Sequence, residues 1–207
     1  MSRVKRITLL LFAGLAFNAV IASAASASPA WWVNGKLLAA GAKEAIAEAT
    51  EVTEPFVVKS ALGSVECKSL KDVEGFIEGE SKAGVKALDV GECVFLKRPG
   101  CTVLPITTEP LSIALEGELG HLKLKFKPAT GTKVMTVNFS GSECPAPSLM
   151  FSGVMACNYP SVETEATSHL EEFTATSGTK LSNGIENVEL KGLDRFRLAS
   201  GKLWSAH

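Results

Sequence analysis

The sequence predicts a mainly β protein, a single antiparallel β-sandwich or barrel-like domain, and two patterns carry that expectation. Several segments alternate apolar and polar residues with a period of two, which puts one set of side chains on each face of a strand. Gly, Asn and Pro residues separate those segments at intervals that suit antiparallel connections. A third feature, an export signal, decides which residues belong to the domain.

The signal comes first along the chain. Arg3, Lys5 and Arg6 form a positive start, and Ile7 to Ile21 is an apolar run of fifteen residues broken only by Thr8, Gly14 and Asn18. That run is short for a bilayer span. Two A-x-A sites follow, Ala22-Ser23-Ala24 and Ala25-Ser26-Ala27, so cleavage is expected after Ala24 or Ala27. Residues 1–27 are therefore read as a signal peptide and 28–207 as one β-rich exported domain, secreted or held at the cell envelope. The absence of a cysteine at the boundary argues against lipid attachment, and the arginines are not paired as in a twin-arginine signal. No second apolar stretch of membrane length follows, so no stable membrane span is expected once the signal is gone.

Within the domain, Asn34-Gly35 is a two-residue hairpin turn between Val33 and Lys36. Residues 39–51, AAGAKEAIAEATE, permit a short helix, because Leu38, Ala42, Ala45, Ile46 and Ala49 fall near one helical face. The β context around them favours strand. Leu111–Glu116 and Leu122–Lys127 alternate cleanly across a connection holding Gly117 and Gly120, and form the clearest hairpin. Met135, Val137 and Phe139 are expected to continue that meander after a turn at Gly131. Val188–Leu190 and Arg195–Leu198 repeat the alternation, bounded by Gly192 and Gly201.

Charge narrows the functions open to this domain. Of 21 basic and 22 acidic residues, removal of the signal takes three basic ones, leaving 18 − 22 = −4. A mildly acidic chain without a basic stripe lacks what nucleic-acid binding requires, so no nucleic-acid partner is expected. The kind of partner that remains is an envelope glycan or protein, its identity unknown.

Five cysteines, Cys67, Cys93, Cys101, Cys144 and Cys157, sit in a chain bound for an oxidising compartment. Cys67 and Cys93 lie in alternating segments, whereas Cys101 and Cys144 adjoin the turn residues Gly100 and Pro145. The expected bridges are Cys67–Cys93 and Cys101–Cys144, with Cys157 the odd thiol; sequence alone does not fix connectivity. Spacings of 26, 8, 43 and 13 contain no C-x2-C pair, and no metal site is assigned.

Catalytic groups are sparse. His121, His169 and His207 share no local motif with a nucleophile, and a Cys157–His169 pair would need the fold to bring them together. His169-Leu-Glu-Glu172 lacks the second histidine of a zinc-protease helix, and no G-x-S-x-G elbow occurs. Glu163, Glu165, Glu171 and Glu172 form a local acidic cluster, read as a solvated face rather than an acid/base pair. The three aspartates, Asp72, Asp89 and Asp194, form no calcium loop. No catalytic or cofactor-binding residue is assigned and no cofactor is expected. The alternative reading is a glycan-directed hydrolase with dispersed Glu, His and Ser groups. It would require Glu171 or Glu172 to face His121 or His169 inside a deep cleft.

Aromatic residues offer one binding feature. Trp31, Trp32 and Trp204 lie at opposite ends of the domain, and pairing of the first and last strands would unite them, either as an exposed patch or as a plug at the end of the core.

The stretches WWVNGKLLAAG, VTEPFVVKSALGSVECKSL, GHLKLKFKPATGT and LASGKLWSAH together resemble exported bacterial proteins of unknown function, over nearly the whole of 28–207. The resemblance implies a recurring secreted domain and no activity or site. Taken together, the residues describe a secreted or envelope-associated β domain, stapled by disulfides, that acts by binding or structurally rather than by catalysis.

Overall fold

The computed structural model describes residues 28–118, 120–159, 162–174 and 177–207. The signal peptide expected over 1–27 lies outside the described residues. Nineteen strands follow one another among them. The first half holds β1 (Trp31–Val33), β2 (Lys36–Leu37), β3 (Lys43–Ala45), β4 (Ala49–Ser60), β5 (Gly63–Val73), β6 (Phe76–Glu78), β7 (Lys82–Val85), β8 (Ala87–Phe95), β9 (Thr102–Val103) and β10 (Ile106–Thr107). The second holds β11 (Leu111–Glu116), β12 (Leu122–Pro128), β13 (Lys133–Ser140), β14 (Ser148–Tyr159), β15 (Val162–Ala166), β16 (Ser168–Phe173), β17 (Lys180–Ser182), β18 (Asn187–Arg197) and β19 (Trp204–Ala206).

Among the described residues there is no helix. The short helix permitted over 39–51 is not formed. Lys43–Ala45 pairs with Phe76–Glu78, and Ile46 bridges to Leu198, so sheet partners override the alanine-rich propensity.

Eight strands close into an antiparallel barrel in the order β14, β16, β18, β4, β5, β8, β9 and β13, and β13 bonds back to β14. Closure removes the open edges that a sheet would otherwise expose. β14 also starts an extension, β12–β11–β7–β6–β3, packed outside the barrel. Its far end returns to β18 through the Ile46–Leu198 bridge and the bond from Ala47 N to Arg197 O.

β14 serves both units because its two halves have different partners. Ser148–Ser152 pairs with β13, and Met155–Tyr159 pairs with β12. Gly153 sits at the change, at φ 119°, where an added Cβ would fall 2.1 Å from the Lys180 carbonyl of β17. Only glycine fits such a bend against such a neighbour.

The hairpin read from alternation forms, with a register that sets Leu111 opposite Pro128 and Glu116 opposite Lys123. The meander does not continue as expected. β13 pairs with β14 and β9 and not with β12, because the longer β14 takes β12's free edge. Val188–Leu190 and Arg195–Leu198 belong largely to one strand, β18, which runs unbroken through Gly192. An added Cβ at Gly192 would meet the Phe56 ring at 2.6 Å, so the glycine makes room for that ring.

Apolar side chains point inward, as in β18, where Val188, Leu190, Phe196 and Leu198 are all buried. Lys59, Lys68, Asn138 and Lys191 face outward and are exposed. This is the reverse of a lipid-facing barrel. No helix among the described residues is long and apolar enough to cross a membrane.

Two disulfides pin the barrel. Cys67 and Cys93 lie directly opposite one another on β5 and β8, and Cys101 joins Cys144 across the turns that flank β9 and β13. Cys157, on β14, is free and fully buried.

Candidate functional site

The site is assembled from inward positions of β5, β16 and β18. On β16, His169, Glu171 and Phe173 face in while Glu172 faces solvent. On β18, the parity that buries Leu190 and Phe196 also buries Asp194, which is 2% exposed. β5 is less regular. Val65 and Cys67 face in at its start, but Leu70 and Asp72 do so at its end. The switch falls where Glu92 of β8, at φ 52°, interrupts the ladder opposite Lys68.

These turns of geometry bring Asp72, Glu171 and Asp194 to one internal cavity of about 80 Å³. Its walls are otherwise apolar. Phe56, Phe126, Phe151, Phe173 and Phe196 line it, with Phe56 and Phe173 rings 5.5 Å apart and Phe126 and Phe173 rings 5.9 Å apart. Met135 and Met155 complete one side. Among the described residues, no Lys, Arg or His lines it.

Three carboxyls in an apolar enclosure without a cation cannot all ionise cheaply. Burial, and then the neighbouring Asp194 and Asp72, hold Glu171 well above the usual carboxylate range. Burial and Asp72 do the same to Asp194. Asp72 is less extreme: burial pushes it up to about 6, opposed by the Thr50 hydroxyl, which donates to its Oδ2 at 2.6 Å. The negative charge that Asp72 gains on ionising adds to the burial that favours the protonated forms of Glu171 and Asp194. Asp194 Oδ1 is buried with no hydrogen-bond partner among the described residues. Thr50 also lines a surface groove of about 400 Å³, shared with Ser168, Arg195 and Arg197.

Deeper in β14 lie two more titratable groups. Burial raises the Cys157 thiol, with Glu171 and Asp194 adding to the effect, and burial and Glu171 raise the Tyr159 phenol. Cys157 is thus an inert thiol rather than a nucleophile. His169 turns away from the acids. Its ring packs edge-on to Trp204 at 4.2 Å, and its Nε2 donates to the Trp204 carbonyl at 2.7 Å. Burial lowers its pKa, against the opposing effect of the Trp204 bond, and so favours the neutral ring.

The tryptophans do come together, since β1 pairs with β19, Trp31 opposite Ala206 and Val33 opposite Trp204. They do not form an exposed patch. Trp31 and Trp204 are 1% and 0% exposed, with ring centroids 5.8 Å apart, and Trp31 Nε1 donates to the Lys82 carbonyl at 2.8 Å. Alternation along β1 leaves only Trp32 half-buried, stacked on His207 at 4.8 Å. The pair plugs one end of the core.

The acidic cluster also divides. Glu171 is inside, Glu172 is exposed, and half-buried Glu165 accepts a bond from Gly35 N. His121 is exposed in the β11–β12 connection. The expectation that the cluster is a solvated face fails for Glu171, and neither His121 nor His169 lines the cavity it faces. Asp72 and Asp194 were not foreseen as site residues.

Fold and site together define a closed antiparallel barrel with an acid-bearing apolar interior. Compared with known proteins, the chain matches no family model, no curated protein and no solved structure.

Proposed function

We propose that this is a non-catalytic, extracytoplasmic binding protein that holds a small ligand inside its barrel. The observation carrying the reading is an apolar cavity into which Asp194 presents a buried, unpartnered carboxyl oxygen. Buried polar atoms are almost always hydrogen-bonded, so this oxygen is the natural contact for an occupant. The cavity's volume of about 80 Å³ is roughly half that of an engineered apolar cavity that takes up benzene, so the ligand has only a few heavy atoms. Met135 and Met155, with flexible and polarisable side chains, let the wall adapt.

The two disulfides are compatible with life outside the cytoplasm. The N-terminal signal pattern and the resemblance to exported bacterial proteins support the same address. Binding is favoured over glycan hydrolysis because a cavity of about 80 Å³ is too small for a sugar ring between the two carboxyls that such hydrolysis needs.

Methionine-methyl NMR on the purified protein tests this. A screen of molecules of about three to five heavy atoms, smaller than the benzene of the cavity comparison, is expected to shift Met135 and Met155 before Met150, which is 54% exposed. A screen in which no compound moves Met135 or Met155, or in which Met150 moves equally, refutes the reading.

A further inference from the structure

Resting on that reading, we propose that the occupant is a small alkylated ammonium ion, recognised by Asp72, Glu171 and Asp194 against the surrounding phenylalanine rings. Three observations converge on a cation of this kind. The cavity gathers three carboxyls from β5, β16 and β18 and, among the described residues, no basic side chain to balance them. Proteins rarely bury acids without partners, so the missing member of the set is positive. Asp194 is 2% exposed, and its buried Oδ1 has no partner among the described residues and stands ready to accept a bond.

The walls refine the class. Five phenylalanines line the space, and aromatic faces attract cations whose charge is spread over methyl groups. A metal ion wants a dense shell of oxygen ligands. Among the described residues no group of three His, Cys, Asp or Glu is placed to hold one. An alkylated ammonium is weakly hydrated, buries its methyls against the rings, and needs only one or two acceptors.

The groups facing the cation are few. Asp72 comes from β5, Glu171 from β16 and Asp194 from β18; Cys157 and Tyr159 of β14 lie close enough to Glu171 to feel its charge, and both stay neutral. Asp72 supplies a charge near neutral pH, and Asp194 supplies the open acceptor. Glu171, whose carboxyl burial holds well above the usual range, can in its protonated form donate a hydrogen bond to a ligand that carries an oxygen.

The test compares trimethylammonium with tert-butanol, its neutral near-isostere, by methionine-methyl NMR and calorimetry on the purified protein at pH 8. Trimethylammonium is expected to shift Met135 and Met155 and to bind at least about tenfold more tightly than tert-butanol, the size of one charge-assisted contact. Asp72→Asn and Asp194→Asn should each remove that preference, and a near-ultraviolet circular dichroism spectrum matching the wild type shows that the variants are folded. Equal binding of both probes overturns the ammonium assignment and leaves the ligand-binding barrel standing. Failure of both probes and of the wider screen overturns the two together. Retention of the tenfold preference in Asp72→Asn and Asp194→Asn moves the cation out of this cavity and also overturns the inference.

Discussion

Asp72→Asn isolates the cost of the one cavity acid that ionises within the ordinary pH range. Its pKa rises from 3.8 to about 6 in the folded chain, a shift of about 2 units, and each unit is worth about 1.4 kcal/mol. The sign follows from linkage: the folded state holds this proton more tightly than the unfolded one, so the native protein loses stability as pH rises through the interval between the two values. Below pH 4 Asp72 adds no such penalty; above about 6 it costs the full amount, about 3 kcal/mol. Asparagine keeps the size of the side chain and an oxygen for the Thr50 hydroxyl, and has no charge to bury. Urea unfolding of both proteins, disulfides intact, at pH 4 and pH 7.5 gives the answer. The stability difference between variant and wild type should change by about 3 kcal/mol in the variant's favour between the two conditions. Part of the change comes through Glu171 and Asp194, because the Asp72 charge is one of the causes that raise both carboxyls and asparagine removes it. A difference that is the same at both pH values, within about 0.5 kcal/mol, refutes the burial of Asp72 as described.

Other consequences are open to measurement. Alkylation without reduction should label no cysteine in the native protein and one, Cys157, in denaturant, which mass spectrometry reads directly. Replacing Cys67 and Cys93 by serine opens a loop of 26 residues and should cost about 3.5 kcal/mol on the chain-entropy model, visible as a lower unfolding midpoint. Tryptophan emission should be blue-shifted and mostly protected from acrylamide, because Trp31 and Trp204 are buried; Trp32→Phe should remove the quenchable fraction. Gly192→Ala drives a methyl into the Phe56 ring, 2.6 Å from the new Cβ, and should destabilise by about 1–3 kcal/mol, which Phe56→Leu in the same chain should partly relieve.

Much of the barrel was legible from period-two alternation. It gave the hairpin of Leu111–Glu116 with Leu122–Lys127, and the placement of the cysteines beside strands and turns pointed to both bridges without fixing them. Two of the three site acids were also within reach. The parity that makes Phe173 an inward residue carries Glu171 with it, and the run Val188, Leu190, Phe196, Leu198 carries Asp194. They were passed over because acidic residues are usually solvated. Asp72 is different. From Cys67, strict alternation places Asp72 outward, and only the interruption at Lys68 and Glu92, where a non-glycine residue adopts φ 52°, turns it in.

By itself the sequence determined the class of fold and the pairing potential of its local hairpins, because each is written in neighbouring residues or in composition. The tertiary structure alone decided how the sheet closes, since the closure depends on β14 choosing different partners for its two halves, residues far apart in the chain. That closure is also what enclosed Asp72, Glu171 and Asp194 together. Carboxyls 99 and 23 residues apart in the chain became neighbours in an apolar space, where low dielectric and mutual repulsion, rather than any local motif, gave them their chemistry.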